Sequence, residues 1–142
     1  ASKGKEENKL TGAMLASWVS QASFSPPGLS IAVAKDRSVE SLLQKGDKFA
    51  LNILSEENYK DSLKQFTKPF APGEDRFSDV KTKQTPNGQI IISDSLAWLD
   101  GSVKERMECG DHWVIYAEVN YGDVLRQGDL TAVHHRKSGS NY

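Results

Sequence analysis

The sequence predicts a mainly β domain, a β-barrel that carries two or three short helices. The strongest observation is the alternation of apolar and polar residues through the last third of the chain, which is typical of strands with one buried face. The helical patterns, in contrast, are few and short. In addition, no GxGxxG motif follows the first predicted strand, so a doubly wound sheet with a dinucleotide site is disfavoured.

The first predicted strand covers residues 11–20, where residue types alternate from Met14 to Val19. A turn at Pro26-Pro27-Gly28 separates it from a second strand. One face of this second strand is bulky and the other is small, with Leu29, Ile31 and Val33 against Ser30, Ala32 and Ala34. The small face would let a ligand or another backbone approach closely.

Two short helices are predicted in the middle of the chain. Ser38 is a plausible N-cap for a helix over residues 39–45, and Gly46 would end it. A strand at residues 49–54 then leads to Ser55, a second predicted N-cap that is followed by two glutamates. The apolar face of this second helix comprises Tyr59, Leu63 and Phe66.

Residues 67–87 contain three prolines and mixed charges, and we expect a long loop of the kind that covers a binding site. An Asn87-Gly88 turn leads from it into the β-rich part of the chain. The strands predicted there are residues 89–93, 96–109, 112–124 and 130–136.

Composition indicates one globular domain over residues 1–142, in which residues 1–10 form a polar, mobile loop. Hydrophobic residues make up 37% and charged residues 26% of the chain. The net charge of −1 and the lack of a long apolar run favour neither nucleic acid nor membrane as a partner. A single cysteine, Cys109, cannot form an internal disulfide, which fits a reducing compartment such as the cytoplasm. The three histidines show no zinc spacing, and no metal site is expected.

A first candidate binding motif is Lys35-Asp36-Arg37-Ser38, at the start of the first predicted helix. Free amides at a helix start favour an anion, and two cations and a hydroxyl would add to a phosphate site. The alternative is a capped surface helix after a charged turn.

A second candidate is Ser17-Trp18-Val19-Ser20 together with Ser23-Phe24. Short hydroxyls and strand-end amides can bond the carbonyl groups of a flat ring, and an aromatic side chain can cover its apolar body. The alternative is that Trp18 belongs to the core and the serines only make a loop polar. With the first motif, this one indicates a flat, polar, phosphorylated ligand.

Two histidine motifs complete the candidates. Gly110-Asp111-His112 predicts a tight turn that aims an imidazole at a cleft, although such a histidine is more often an ordinary turn residue. The run His134-His135-Arg136-Lys137 could contact a dinucleotide phosphate or a partner chain. A solvated strand end explains that run equally simply.

The order of these motifs resembles the flavin reductase-like family, whose fold is the FMN-binding split barrel. The resemblance covers about residues 11–136 and rests on residues 16–28, 31–37 and 49–54, on Ala97-Trp98-Leu99 and on Gly110-Asp111-His112. Residues 12–23 are most similar to the C-terminal flavin reductase module of cyanobacterial flavodiiron proteins. The strand that usually precedes Thr11-Gly12 is lacking, so we expect a fragment of a larger protein with an exposed barrel edge.

The resemblance implies a site for FMN and assigns roles to particular positions. The residues that would contact the flavin ring are Ser17, Trp18, Val19, Ser20, Ser23 and Phe24. The residues that would hold the ribityl phosphate are Ala34, Lys35, Arg37 and Ser38. His112 would lie near the nicotinamide of the electron donor. No side chain is implied as a catalytic group, since the cofactor performs the chemistry.

The implied activity is that of an NAD(P)H:flavin oxidoreductase, in which a hydride passes from NADH or NADPH to bound FMN. In the family, electrons then pass to the flavodoxin-like and di-iron domains of the parent protein, where oxygen is reduced to water, and the barrels pair as homodimers. The loop at residues 67–87 would cover the site, with Phe70 or Phe77 as stacking groups. Two alternatives stay open, a flavin-binding module without turnover and a purely structural dimerisation domain.

Overall fold

The computed structural model describes residues 2–3, 11–68 and 74–133, and strands dominate it. In chain order the elements are β1 (Ser2–Lys3), β2 (Thr11–Gly12), β3 (Val19–Phe24), β4 (Pro27–Ala34), a 3₁₀ helix (Ser38–Leu42), β5 (Lys48–Ile53), α1 (Tyr59–Thr67), β6 (Thr82–Gln84), β7 (Ile90–Ile92), β8 (Ala97–Cys109) and β9 (His112–Val124). The prediction of a mainly β domain with two or three short helices is confirmed.

Five of these strands form one antiparallel sheet in the order β3-β4-β9-β8-β5. Its centre is the β8–β9 hairpin, whose two strands have 13 residues each. Gly110 turns this hairpin with φ +57°, a left-handed conformation that glycine adopts without strain. Separate two-stranded pairs are formed by β1 with β2 and by β6 with β7.

The main core lies on one face of the sheet, because alternation sends every second side chain of β4 and β9 inward. Ile31 lies opposite Ile115 in the register, and both are buried. The 3₁₀ helix and β5 close this face, and the cluster comprises Ile31, Val33, Val39, Leu43, Phe49, Val103, Ile115 and Ala117. Burial of each large aliphatic side chain stabilises the fold by about 1.5–3 kcal/mol.

A second, smaller core packs α1 against β7. The rings of Phe66 and Phe77 lie 5.3 Å apart, and Ile90 and Ile92 complete the cluster with Ala13. Phe77 is only 7% exposed and packs in this core, and its role as a stacking group over a ligand stays a prediction. The other candidate for that role, Phe70, lies outside the described residues.

Most predicted strands are confirmed, but their limits differ at four places. Residues 13–18 belong to no strand, and β3 begins only at Val19. Ser2–Lys3 forms β1 rather than part of a loop, and β6 lies inside the region expected to lack regular structure. In the strand predicted at residues 130–136, the described part shows a single bridge from Thr131 to Ser55.

Both predicted N-caps are wrong. Arg37 occupies the N-cap position of the 3₁₀ helix without a side-chain hydrogen bond, and Ser38 is already the first helical residue. The helix α1 begins at Tyr59, after the N-cap Asn58. Ser55 instead accepts a 3.2 Å hydrogen bond from the Glu57 amide, so its hydroxyl stabilises the turn that precedes the helix.

Neither helix of the described part of the chain combines the length and the apolar character that a bilayer span requires.

Candidate functional site

The outward face of β4 and β9 is shallow because its side chains are small. Ala32 and Ala34 point away from the buried Val33, and they lie opposite Val114 and His112 in the register. At the other end of β4, a Cβ on Gly28 would lie 2.7 Å from Cε2 of Tyr116, so only glycine lets that ring lie flat on the strand. The small face predicted for β4 is therefore present.

His112 is the polar centre of this face. The turn at Gly110–Asp111 places it at the start of β9, where its Nδ1 lies 2.7 Å from a carboxylate oxygen of Asp111. Its ring lies 5.0 Å from the ring of Trp18, with 35° between the planes. Among the described residues its Nε2 has no hydrogen-bond partner, although that atom is buried. Buried polar atoms in proteins are normally hydrogen-bonded, so the lack of a described partner for Nε2 indicates that a hydrogen-bonding group is missing from this site.

Asp111 carries a negative charge beside the imidazole. The pKa of its carboxyl is lowered, first because His112 donates a hydrogen bond to it and second because of the charge of that ring when protonated. Lys35 adds a weaker effect in the same direction. The contact between Asp111 and His112 is thus a charge-assisted hydrogen bond whenever the carboxyl is ionised.

A small cavity of about 20 Å³ lies between His112 and the segment before β3. It brings together five of the residues proposed from the sequence, Ser17, Trp18, Ala34, Arg37 and His112. This volume holds about one water molecule and cannot enclose a ring system. Trp18 keeps 45% of its surface exposed, so any site for a flat ligand here is open to the surface.

Of the four residues predicted to hold a phosphate, the three with polar side chains are not equivalent. Lys35 forms an ion pair with Glu108 and lies 5.3 Å from the ring of Trp113. The pKa of Glu108 is lowered because Lys35 donates a hydrogen bond to it and places a positive charge beside it. Arg37 lines the small cavity, and its nearest acid is Asp36 at 4.0 Å. Ser38 lines neither this cavity nor the larger one described below.

The residues predicted to contact a ring also divide into groups. Ser17 lines both the small cavity and a larger one, while Val19 and Ser20 line the larger one. Ser23 and Phe24 end β3 and line neither, and Phe24 is 87% exposed. The structure therefore groups Ser17 and Trp18 with His112, and leaves Ser23 and Phe24 at the end of the strand.

The larger cavity, about 600 Å³, was not predicted from the sequence. It lies between the inner side of β3, β4 and β5, the helix α1 and residues 13–17, and its lining is mainly apolar. In the described part of the chain no acidic or basic side chain lines it. Its size is that of a small-molecule pocket, but it offers no charge to a phosphate.

A buried arginine, also missed by the sequence analysis, connects the 3₁₀ helix to the sheet. Arg106 on β8 pairs with Glu40 of that helix, and its guanidinium carbon lies 4.3 Å from the ring centre of Trp113. Two of its nitrogens are buried without a partner among the described residues. Arg106 is a polar residue in an alternating strand, and this local pattern does not predict its contacts with Glu40 and Trp113.

Asp100, fully buried, is the second polar group that the sequence did not indicate. It accepts hydrogen bonds from the hydroxyl of Thr85 and, at 2.7 Å, from the amide of Asn87. Thr85 also accepts a 3.0 Å bond from the Gln89 amide. These bonds satisfy the buried carboxylate and fix the turn between β6 and β7 onto β8.

The histidines and cations at residues 134–137, proposed to contact a dinucleotide or a partner, lie outside the described residues. Among the residues that are described, no three His, Cys, Asp or Glu side chains are grouped as metal ligands would be.

Comparison with known proteins identifies the relatives of this chain. The family model of the flavin reductase like domain matches residues 1–140. The chain is 56% identical over 137 residues to diflavin flavoprotein A 1 of Synechocystis, covering 96% of this chain and 24% of that protein. It spans about a quarter of the length of the curated relatives it matches.

The fold has close counterparts among solved structures. The NADH:FAD oxidoreductase SgcE6 of Streptomyces globisporus superimposes with a TM-score of 0.75 at 25% identity, over 83% of this chain and 70% of that one. The styrene monooxygenase flavin reductase of Pseudomonas putida gives a TM-score of 0.68 at 20% identity, over 86% and 76% of the two chains. These likenesses confirm the predicted split-barrel class.

Proposed function

The chain belongs to the flavin reductase like domain family, and from this premise we propose that it is an NAD(P)H:flavin oxidoreductase module that holds FMN. The observation that carries the proposal is the group of residues around the small cavity on the outer face of β4 and β9. There, a buried nitrogen of His112 without a partner, an exposed indole and a cation line one surface.

The residues of this surface fit the parts of a flavin mononucleotide. Ala32 and Ala34 keep the face shallow enough for a flat ring, and Trp18 offers an aromatic surface beside it. Ser17 can donate a hydrogen bond to a ring carbonyl, as can backbone amides of the segment before β3. FMN, when bound, supplies the hydride chemistry, so the side chains need only bind, orient and exclude water.

Arg37 is the residue we assign to the phosphate. Its side chain is about half exposed, and the one ion pair that the described residues give it is a 4.0 Å contact to Asp36, so it can turn toward an anion. Lys35 would first have to leave Glu108, and it therefore contributes less. Ser38, Ser20, Ser23 and Phe24 remain secondary contacts in this proposal, along with Val19.

NADH or NADPH is proposed as the electron donor. The named activity of the Streptomyces relative, NADH:FAD oxidoreductase, supports this class of donor, and so does the family match. In the longer polypeptide, electrons would pass on to the flavodoxin-like and di-iron domains that reduce oxygen to water. The support for that context is the similarity to diflavin flavoproteins, of which this chain spans a quarter.

A homodimer is proposed from the outer surface. Met107, on the outward face of β8, is 59% exposed, and Trp18 before β3 and Phe24 at its end are also exposed. Exposed apolar side chains on one sheet face are typical of a surface that pairs with another protein. A homodimer would bury them beside the flavin site.

The test is titration of the chain with FMN, followed by anaerobic addition of NADH or NADPH. We expect quenching of FMN fluorescence on binding and bleaching of the bound flavin by the nucleotide. Bleaching by dithionite alone would favour a binding module without turnover. No quenching at any FMN concentration would favour a structural dimerisation domain.

Arg37→Ala tests the phosphate assignment. It should weaken FMN binding about tenfold, the cost of one charge-assisted hydrogen bond, and leave riboflavin binding within about twofold. Lys45→Ala, which removes an exposed cation after the 3₁₀ helix, is the matched control and should change neither. Equal losses for FMN and riboflavin in Arg37→Ala would remove this residue from the phosphate site.

A further inference from the structure

The outer surface contains an acid whose role the proposed function does not use. Asp111 lies in the β8–β9 turn, 93% of its side chain is exposed, and its one described side-chain contact is with Nδ1 of His112. His112 itself is 16% exposed. An exposed carboxylate thus contacts the outer nitrogen of a mostly buried imidazole.

The two ring nitrogens of His112 face different surroundings. An ionised carboxylate can only accept, so the contact at 2.7 Å requires a proton on Nδ1. In a neutral imidazole the other nitrogen is then an acceptor, and Nε2 is the atom buried without a partner beside the small cavity. Hydrogen-bond geometry alone therefore selects a tautomer.

The surroundings of Nε2 offer it no acceptor among the described residues, so a proton on that atom would be buried without a partner. Arg37 lines the same cavity as the ring, with Asp36 4.0 Å away, and Lys35, which is paired with Glu108, follows Ala34, the residue opposite His112 in the register. Asp111 is the acid in contact with the ring, and it bonds the other nitrogen.

We propose that Asp111 is a positioning residue that holds the imidazole of His112 in the Nδ1–H tautomer, so that Nε2 presents a hydrogen-bond acceptor to an N–H group of the bound ligand. The proposal rests on the proposed function for the identity of that ligand, a flavin or a nicotinamide. Both carry amide or imide N–H donors, whereas a phosphate oxygen does not. The surface around His112 thus selects the ring end of a ligand and leaves the phosphate to Arg37.

The tautomer can be read without any ligand. In the unliganded chain with ¹⁵N-labelled histidine, we expect the His112 signals of a protonated Nδ1 and an unprotonated Nε2. Asp111→Ala removes the acceptor for Nδ1–H and should give a mixture of the two tautomers. Asp123→Asn, at the opposite end of β9, is the charge-matched control and should leave the pattern unchanged.

Ligand binding supplies the second measurement. Asp111→Ala should weaken binding of FMN or of its nucleotide-reduced complex about fivefold, because Nε2 then carries the ring proton in much of the population and no longer accepts. Asp123→Asn should stay within about twofold. A wild-type spectrum with the proton on Nε2, or equal losses in both variants, would overturn the proposal. If the wild-type chain binds no FMN, the proposed function fails, while the ¹⁵N spectra still decide the role of Asp111.

Discussion

The two cavities described above lie on opposite faces of β4, share a wall at residues 14–17, and differ in size and in chemistry. The larger one, about 600 Å³, is mainly apolar and lies on the inner side, against α1. The smaller one, about 20 Å³, lies on the outer side and has a histidine, an arginine and an indole in its lining. Cavity volume alone would assign the function to the inner side. Charge and the buried unpartnered nitrogen assign it to the outer side, and they are better guides because a phosphorylated ligand needs charge.

The largest expected effect tests which side binds the flavin. Ala34→Trp would fill the shallow outer face opposite His112 and should weaken FMN binding by about a hundredfold or more, by steric exclusion. Leu51→Trp, which extends into the larger cavity, is the matched control and should change FMN affinity less than about twofold. Fluorescence titration measures both, and circular dichroism confirms that both variants fold. If only the second variant loses FMN, the inner cavity is the flavin site.

A second prediction, with a smaller expected effect, distinguishes polar groups that stabilise the fold from polar groups that bind FMN. Thr85→Val keeps the shape of the side chain but leaves the buried carboxylate of Asp100 without one donor. It should lower the free energy of unfolding by about 2 kcal/mol, measured in urea, and leave FMN affinity unchanged. Thr82→Val, exposed on β6, should cost less than about 0.5 kcal/mol. A loss of FMN binding in Thr85→Val would show that the two regions are coupled.

The smallest effect concerns the ion pair of Lys35 with Glu108, beside the outer surface. The pKa of Glu108 in the folded chain lies below its ordinary value near 4.5. The pair therefore stabilises the fold above that value, and this contribution disappears as the pH falls through the lowered pKa. Glu108→Gln should flatten the acid side of a plot of unfolding midpoint against pH. Asp79→Asn, which removes an acid elsewhere in the chain, serves as the control. If the unfolding midpoint of Glu108→Gln falls with decreasing pH as steeply as that of the wild-type chain, the prediction is contradicted.

The central strands were predicted well because the residues that alternate in the sequence are the same residues that pair with neighbouring strands. The limits of β9 were predicted as observed, since alternation begins after the Gly110–Asp111 turn and continues to Val124. Residues 13–18 alternate as well, yet they form no strand there. Alternation reports which face a side chain occupies, and it does not report whether a neighbouring strand supplies hydrogen bonds.

The candidate site was predicted only in part, for a similar reason. The group of Ser17, Trp18, Ala34, Arg37 and His112 was proposed from motifs and is brought together by the register of β4 with β9. Lys35 was assigned with Arg37 because the two are close in sequence, but its partner is 73 residues away. Long-range contacts of this kind, including Arg106 with Glu40 and the whole larger cavity, depend on the tertiary arrangement and leave no local pattern.

The contact between Gly28 and Tyr116 has a consequence for how this domain can evolve. A side chain at position 28 would place its Cβ 2.7 Å from Cε2 of Tyr116, so a larger residue there requires the tyrosine ring to move. A lineage in which residue 116 has become smaller can vary residue 28 without displacing a ring. We expect the two positions to covary among descendants, with mutational history fixing the sequence of steps.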